Sequence, residues 1–147
     1  MKILTWTILA ASLAFPALSA DKSAHNAAQN DTRTVVEFPP EIKEAMLERM
    51  RRNLLDIHRI QAALANKEYG SAADVAEFSL GLSSLGTHNA RQAPYMPPAM
   101  QHLGMEMHAA SSRVALAAQE GDALQALDKL SQVTAVCVGC HATYRAK

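Results

Sequence analysis

Two proline pairs mark where the longest regular segments of this chain begin. Pro39-Pro40 and Pro97-Pro98 each precede a stretch in which apolar residues recur every three or four positions. Proline is favoured in the first turn of a helix and breaks one elsewhere, so each pair predicts a helix start. The apolar positions are Ile42, Met46, Met50, Leu54, Ile57, Ile60 and Leu64 in the first helix and Met100, Leu103, Met107, Ala110, Val114 and Ala117 in the third.

Two further segments complete the pattern. The second helix is predicted from a Ser71 cap to about Gln92, and the fourth from an Asp122 cap towards the C-terminus. Aromatic residues make up only 5% of the chain, which favours helices over a sheet core. The sequence therefore predicts an all-α fold in which residues 35–147 form one domain, an antiparallel four-helix bundle.

The N-terminus has the three parts of a secretory signal peptide. A positively charged start and an apolar run from Ile3 to Phe15 lead to small residues, with cleavage near Ser19 or Ala20. We expect residues 1–20 to be removed on export to the periplasm and residues 21–34 to form a flexible leader. The apolar run is too short to span a membrane, so no membrane span is expected in the mature chain.

Charge and motif content exclude two classes of function. The 14 basic and 14 acidic residues balance, so no nucleic-acid footprint is indicated. The chain shows no constellation of nucleophile, base and orienting group, so an enzyme is not expected.

The fourth helix carries Cys137-Val138-Gly139-Cys140-His141. Cys-x-x-Cys-His is the attachment signature of a c-type haem, in which the thiols form thioethers with the vinyl groups and the histidine becomes the proximal iron ligand. On a helix these three side chains project from one face. Export agrees with this interpretation, because c-type haem is generally attached outside the cytoplasm. We therefore expect one covalently bound haem c.

The cysteine pair allows three other interpretations. A thioredoxin-like redox couple needs a βαβ context, which is missing from the helical residues upstream. A zinc site needs a second pair of ligands. A plain disulfide in a helical structural module leaves His141 unexplained.

The C-terminal stretch Cys137-Val-Gly-Cys140-His141-Ala-Thr-Tyr144-Arg145 resembles the ending of the class II cytochromes c, cytochrome c′ and the low-spin cytochrome c-556 type. The resemblance covers about residues 39–145 and is specific only at this ending. It implies a haem held in a four-helix bundle and a periplasmic carrier of single electrons that serves redox partner proteins. The family often forms dimers through its first two helices, so a homodimer is one of the oligomeric states that the resemblance allows, although the exposed faces show no diagnostic hydrophobic patch.

Members of the family differ in the group that occupies the sixth coordination position of the iron. In the c-556 type a methionine of the first helix fills it, whereas in cytochrome c′ an apolar side chain leaves the iron high-spin and able to bind NO or CO. In the family the distal residue lies about three turns into the first helix. Counted from Pro39-Pro40, the resemblance therefore implies Met50 as the distal ligand, with Met46 as the alternative and Leu47 as an apolar blocker. The low-spin His/Met carrier is the preferred prediction, and the gas-binding cytochrome c′ is its alternative.

Other residues enter as lesser candidates. Met96 is expected to anchor its loop on the bundle. Tyr144 and Arg145 follow His141 by three and four residues, so both are expected to share its helical face. Arg145 is expected to contact a haem propionate or to set a positive field near the imidazole, with a simple preference for the helix C-terminus as the alternative. Bis-histidine ligation is an alternative that draws on four residues. They are His58, His88, His102 and His108.

Overall fold

The structure is a computed structural model that describes residues 31–147, with the exception of His88 and of the side chains of residues 87–90. The predicted signal peptide and all but the last residues of the predicted leader lie outside the described residues. The described chain is mostly helical, and the prediction of an all-α fold is confirmed at that level. Its regular elements are β1 (Thr34–Val36), α1 (Pro40–Ala65), α2 (Tyr69–Val75), α3 (Asn89–Gln92), α4 (Pro98–Gln119), α5 (Ala123–Thr143) and β2 (Tyr144–Ala146).

The proline pairs act as predicted. Pro39 and Pro97 are the residues before the first turns of α1 and α4, and Pro40 and Pro98 begin those helices. A proline at the first helical position costs nothing, because its missing N–H would have no partner there. No helix among the described residues combines the length and the apolar character that a membrane crossing requires.

The second segment departs from its prediction. It begins at Tyr69 rather than after a Ser71 cap, and it is not one continuous helix. After α2 the chain forms a π-helical turn (Ala76–Leu80), a 3-10 turn (Leu82–Thr87), the short α3 and another 3-10 turn (Ala93–Tyr95).

Gly81 explains the break. Its backbone is extended (φ −75°, ψ −174°), and a Cβ there would lie 2.6 Å from Glu77 Oε2 and 2.7 Å from the Glu77 carbonyl oxygen. Side chains replace the interrupted helical hydrogen bonds. Leu82 N donates to Ser112 Oγ (3.0 Å), and His108 Nδ1 bonds to the Leu80 carbonyl (2.6 Å).

A tight turn joins α4 to α5. Gly121 adopts a positive φ of 76°, and the Asp122 carboxylate accepts a hydrogen bond from Gln125 N (2.8 Å). This bond satisfies one of the unpaired N–H groups at the start of α5, so the predicted Asp122 cap is confirmed. The two helices then pack extensively against each other.

A short parallel strand pair was not predicted. β1 pairs with β2 in the register Thr34 to Tyr144, and Lys147 N donates to the Val36 carbonyl (3.0 Å). Residues 33–147 form one compact unit, so the ordered domain begins slightly before the predicted start at residue 35. The pair joins the residues before α1 to the residues after α5.

The core has two parts. The larger cluster contains Ile60, Leu80, Val114 and Val133, all almost fully buried, among many alanines. The smaller cluster contains Val36, Phe38, Ile42, Met46 and Met100. The alanines allow close approach of helices in the larger cluster, whereas flexible methionines occupy the smaller one.

Candidate functional site

The Cys-x-x-Cys-His motif occupies the last two turns of α5, as predicted. At about 100° per residue, Cys140 and His141 lie on either side of Cys137 within an arc of about 100°. Both cysteines are half-buried and not joined in a disulfide, whereas His141 is exposed. The three side chains therefore share one face of the helix, with the imidazole open to an incoming ligand.

Burial keeps the two thiols in their neutral form. It raises the pKa of Cys137, with the neighbouring Cys140 adding to the shift, and it raises the pKa of Cys140. Because the thiolate is the reactive form of cysteine, both side chains are poor nucleophiles at neutral pH in this fold. Cys140 acts here as a small apolar group that packs against the smaller core cluster.

The smaller core cluster lies directly against the motif. Cys140 and Tyr144 pack against it, together with Met96 from the loop before α4. The Gln101 side chain holds that loop by donating to the Ala93 and Met96 carbonyls (3.0 and 2.9 Å). The role expected for Met96, that of a loop anchor, agrees with these contacts.

The two α1 methionines have different environments. Met46 is 7% exposed and belongs to the same cluster as Cys140, whereas Met50 is 37% exposed and belongs to neither cluster. Leu47, the expected apolar blocker, is exposed. The structure thus brings Met46 towards the motif and leaves Met50 near the surface.

Arg145 does not share a helical face with His141, because α5 ends at Thr143. Tyr144 and Arg145 belong to β2, where successive side chains point to opposite sides. The helical geometry assumed for Arg145 is therefore wrong. Arg145 is half-buried and lies opposite Val35 in the strand register.

The histidines that could serve as alternative ligands are dispersed. His58 is exposed, and His102 Nε2 lies 3.2 Å from Glu106 Oε1 at the surface. His108 is buried, but its Nδ1 is bound to the Leu80 carbonyl. His88 lies outside the described residues. Within the described chain, no group of three or more His, Cys, Asp or Glu side chains is arranged to hold a metal ion.

Arg33 is a contact of the motif that the sequence does not reveal. Its Nη1 donates to the His141 carbonyl (3.2 Å) across a separation of 108 residues. The bond satisfies one of the carbonyls left without a helical partner at the end of α5. A single arginine in a polar stretch carries no local signal of such a role.

Searches against protein-family models, curated proteins and solved structures find no match to this chain.

Proposed function

We propose that this protein is an exported c-type cytochrome of the class II kind that carries single electrons. The observation that carries the proposal is the position of Cys137, Cys140 and His141 on one face of α5, beside an apolar cluster that contains the thioethers of Met46 and Met100. A haem needs two thiols, an accessible imidazole and apolar walls, and the residues present meet these needs.

The finer architecture belongs to the same proposal. The connections between α1 and α2 and between α4 and α5 are only a few residues long. Connections this short favour antiparallel neighbours, which supports an antiparallel four-helix bundle. The irregular segment between α2 and α4 departs from a simple second helix.

The roles of the residues follow from their chemistry. The thiols of Cys137 and Cys140 would tether haem c, and the His141 imidazole would hold the iron on the proximal side. Bound haem would supply reversible one-electron chemistry between ferric and ferrous iron. The buried side chains of Phe38 and Ile42 lie in the adjoining cluster, where they exclude water and lower the local dielectric constant.

A methionine of α1 is proposed as the distal ligand. Counting turns along the sequence prefers Met50, but the packing of Met46 in the cluster of Cys140 supports Met46. Thioether ligation would produce a low-spin iron with a raised reduction potential and no open position. That combination suits a carrier better than a gas binder.

The cellular setting is also proposed. The N-terminal signal pattern supports export to the periplasm, and the balanced charge supports protein partners rather than nucleic acid. Redox proteins of that compartment would donate and accept the electron. The homodimer that the family resemblance allows stays part of the proposal.

The visible spectrum of the purified protein tests the proposal. After expression with the haem-attachment machinery, we expect a coloured protein whose haem survives denaturation, because it is covalently bound. The reduced form should be low-spin and unchanged by carbon monoxide. A high-spin spectrum that shifts with the gas would favour cytochrome c′ instead, and a colourless protein would exclude both.

A further inference from the structure

A groove lies between α1 and the irregular segment that follows α2. Its volume is ≈ 350 Å³, and α1 contributes Arg49, Arg52 and Asn53 to its wall. Phe78 and Ser79 are among the residues on the facing side. This volume is at the lower end of the range for small-molecule sites, which begins at about 300 Å³. The groove shares no lining residue with the motif on α5.

The charge of Arg49 is not compensated by any of the residues that the structure describes. Its side chain is half-buried, and no hydrogen bond or ion pair joins it to another of the described residues. Burial lowers the pKa of the Arg49 guanidinium, and the nearby charge of Arg52 lowers it further. A bound anion would relieve both the desolvation and the repulsion.

The neighbouring carboxylates do not supply that anion. Asp56 also lines the groove and is buried, but its Oδ1 accepts a hydrogen bond from Arg59 (3.1 Å). Glu48 bonds to Arg51 at 3.3 Å and approaches Arg52 only to 4.0 Å, on the exposed surface. Arg49 and Arg52 therefore leave an excess of positive charge beside the groove.

The donors suit an oxyanion. A guanidinium presents N–H groups in a planar fork that matches a carboxylate or phosphate. The Asn53 amide and the Ser79 hydroxyl add neutral donors to the same groove. Phe78 is 67% exposed and offers an apolar surface on which the remainder of a ligand can pack.

We propose that this groove binds a small oxyanion, a carboxylate or a phosphate, between Arg49 and Arg52. The oxyanion has two sources, a solute or the carboxylates of a haem bound to the same chain. Only the second source rests on the proposed function.

Titration with inorganic phosphate at constant ionic strength, followed by calorimetry, tests the site. Arg49→Gln should weaken binding at least about tenfold, since a charge-assisted hydrogen bond is worth about 1.5–3 kcal/mol. Arg52→Gln should weaken it in the same direction. Arg51→Gln is the matched control, because it removes the same charge from the same helix outside the groove, and it should change affinity by less than about twofold.

Two results would overturn the proposal. One is that neither the haem-loaded nor the haem-free chain takes up phosphate, and the other is equal weakening by Arg49→Gln and Arg51→Gln, which would indicate general charge attraction. Circular dichroism of each variant establishes that the fold is retained.

The source is identified by repeating the titration on a haem-free Cys137→Ala/Cys140→Ala chain. Arg49-dependent binding by both forms points to a solute, whereas binding by the haem-free form alone points to the haem carboxylates. Either result supports the site. The visible spectrum does not depend on anion binding in the groove. An absence of anion binding can therefore be distinguished from a failure of the proposed function.

Discussion

Met46 and Met50 lie one helical turn apart on α1, and their burial separates them. Met46 packs in the cluster that includes Cys140, and Met50 is more than one-third exposed. A ligand held by packing needs less ordering than one drawn in from the surface, because its rotamer freedom is already restricted. The burial of Met46 therefore favours Met46 over Met50 as the distal ligand, whereas counting helical turns favours Met50.

Leucine substitutions distinguish the two methionines. Leucine nearly conserves the volume of methionine but cannot bind iron, so the fold should survive. We expect Met46→Leu to turn low-spin iron into high-spin iron and Met50→Leu to leave the spectrum unchanged. If only Met50→Leu produces high-spin iron, the distal ligand is Met50, as the count of helical turns suggests. Unchanged spectra in both would exclude an α1 methionine.

Gly81 is required by close contact rather than by an unusual φ. Alanine there would place its Cβ against Glu77, and we expect Gly81→Ala to destabilise the protein by about 1–3 kcal/mol. Gly70→Ala is the control, because its Cβ would meet no heavy atom within 4 Å. That change should stabilise α2 by about 0.5–1 kcal/mol. Urea unfolding followed by circular dichroism measures both, and equal effects would contradict the contact argument.

At the scale of elements, the start of α5 depends on one side chain. The Asp122 carboxylate caps the helix that carries the motif, and Asp122→Ala should cost about 1 kcal/mol. Glu120→Ala, an exposed change in the same turn, serves as the control. Thermal unfolding should show a lower Tm for the first variant only. An equal fall in Tm in Asp122→Ala and Glu120→Ala would show that the effect comes from the lost negative charge of the turn rather than from the lost cap.

The end of α5 is held differently. Beyond Thr143 the chain enters β2, and its partner β1 lies before α1. The strand pair and the Arg33 bond to the His141 carbonyl together fix the last turn of α5 from outside the helix. The last turn of a helix would otherwise fray, because its carbonyl groups lack helical hydrogen-bond partners.

At the scale of the whole molecule, the divided core predicts where a haem would add stability. The larger cluster around Ile60 and Val133 is closed by the protein's own side chains. Among the described residues, the smaller cluster contains five buried side chains, and Cys140 packs against it. A bound group that contacts the smaller cluster adds its binding free energy to folding.

Hydrogen exchange can show which parts of the chain a bound haem would stabilise. We expect the haem-free Cys137→Ala/Cys140→Ala chain to lose protection in β1, in the first turns of α1 and at the end of α5. Amides near Ile60, Val114 and Val133 should stay protected, because Cys137, Cys140 and His141 are not among the residues packed against their cluster. A uniform loss of protection would show that the two clusters unfold as one unit.

Several features could be predicted from the sequence because they depend on local chemistry. Proline at the first helical turn, the Asp122 cap and the 3.6-residue periodicity each act within a few residues, and they located α1, α4 and α5. The Cys-x-x-Cys-His spacing is equally local, so its placement on one helical face followed directly. By contrast, the apolar periodicity does not reveal the break in the second segment, because that helix is interrupted by contacts of Gly81 and Leu82 with their surroundings.

The sequence by itself therefore determined the helical class, the main helix starts and the chemistry offered by Cys137, Cys140 and His141. Only the tertiary structure decided that β1 joins β2, that Arg33 reaches the His141 carbonyl and that Met46 is buried while Met50 is not. The physical reason is distance along the chain. Strand pairing and burial depend on groups about a hundred residues apart, and no local propensity encodes which of them meet.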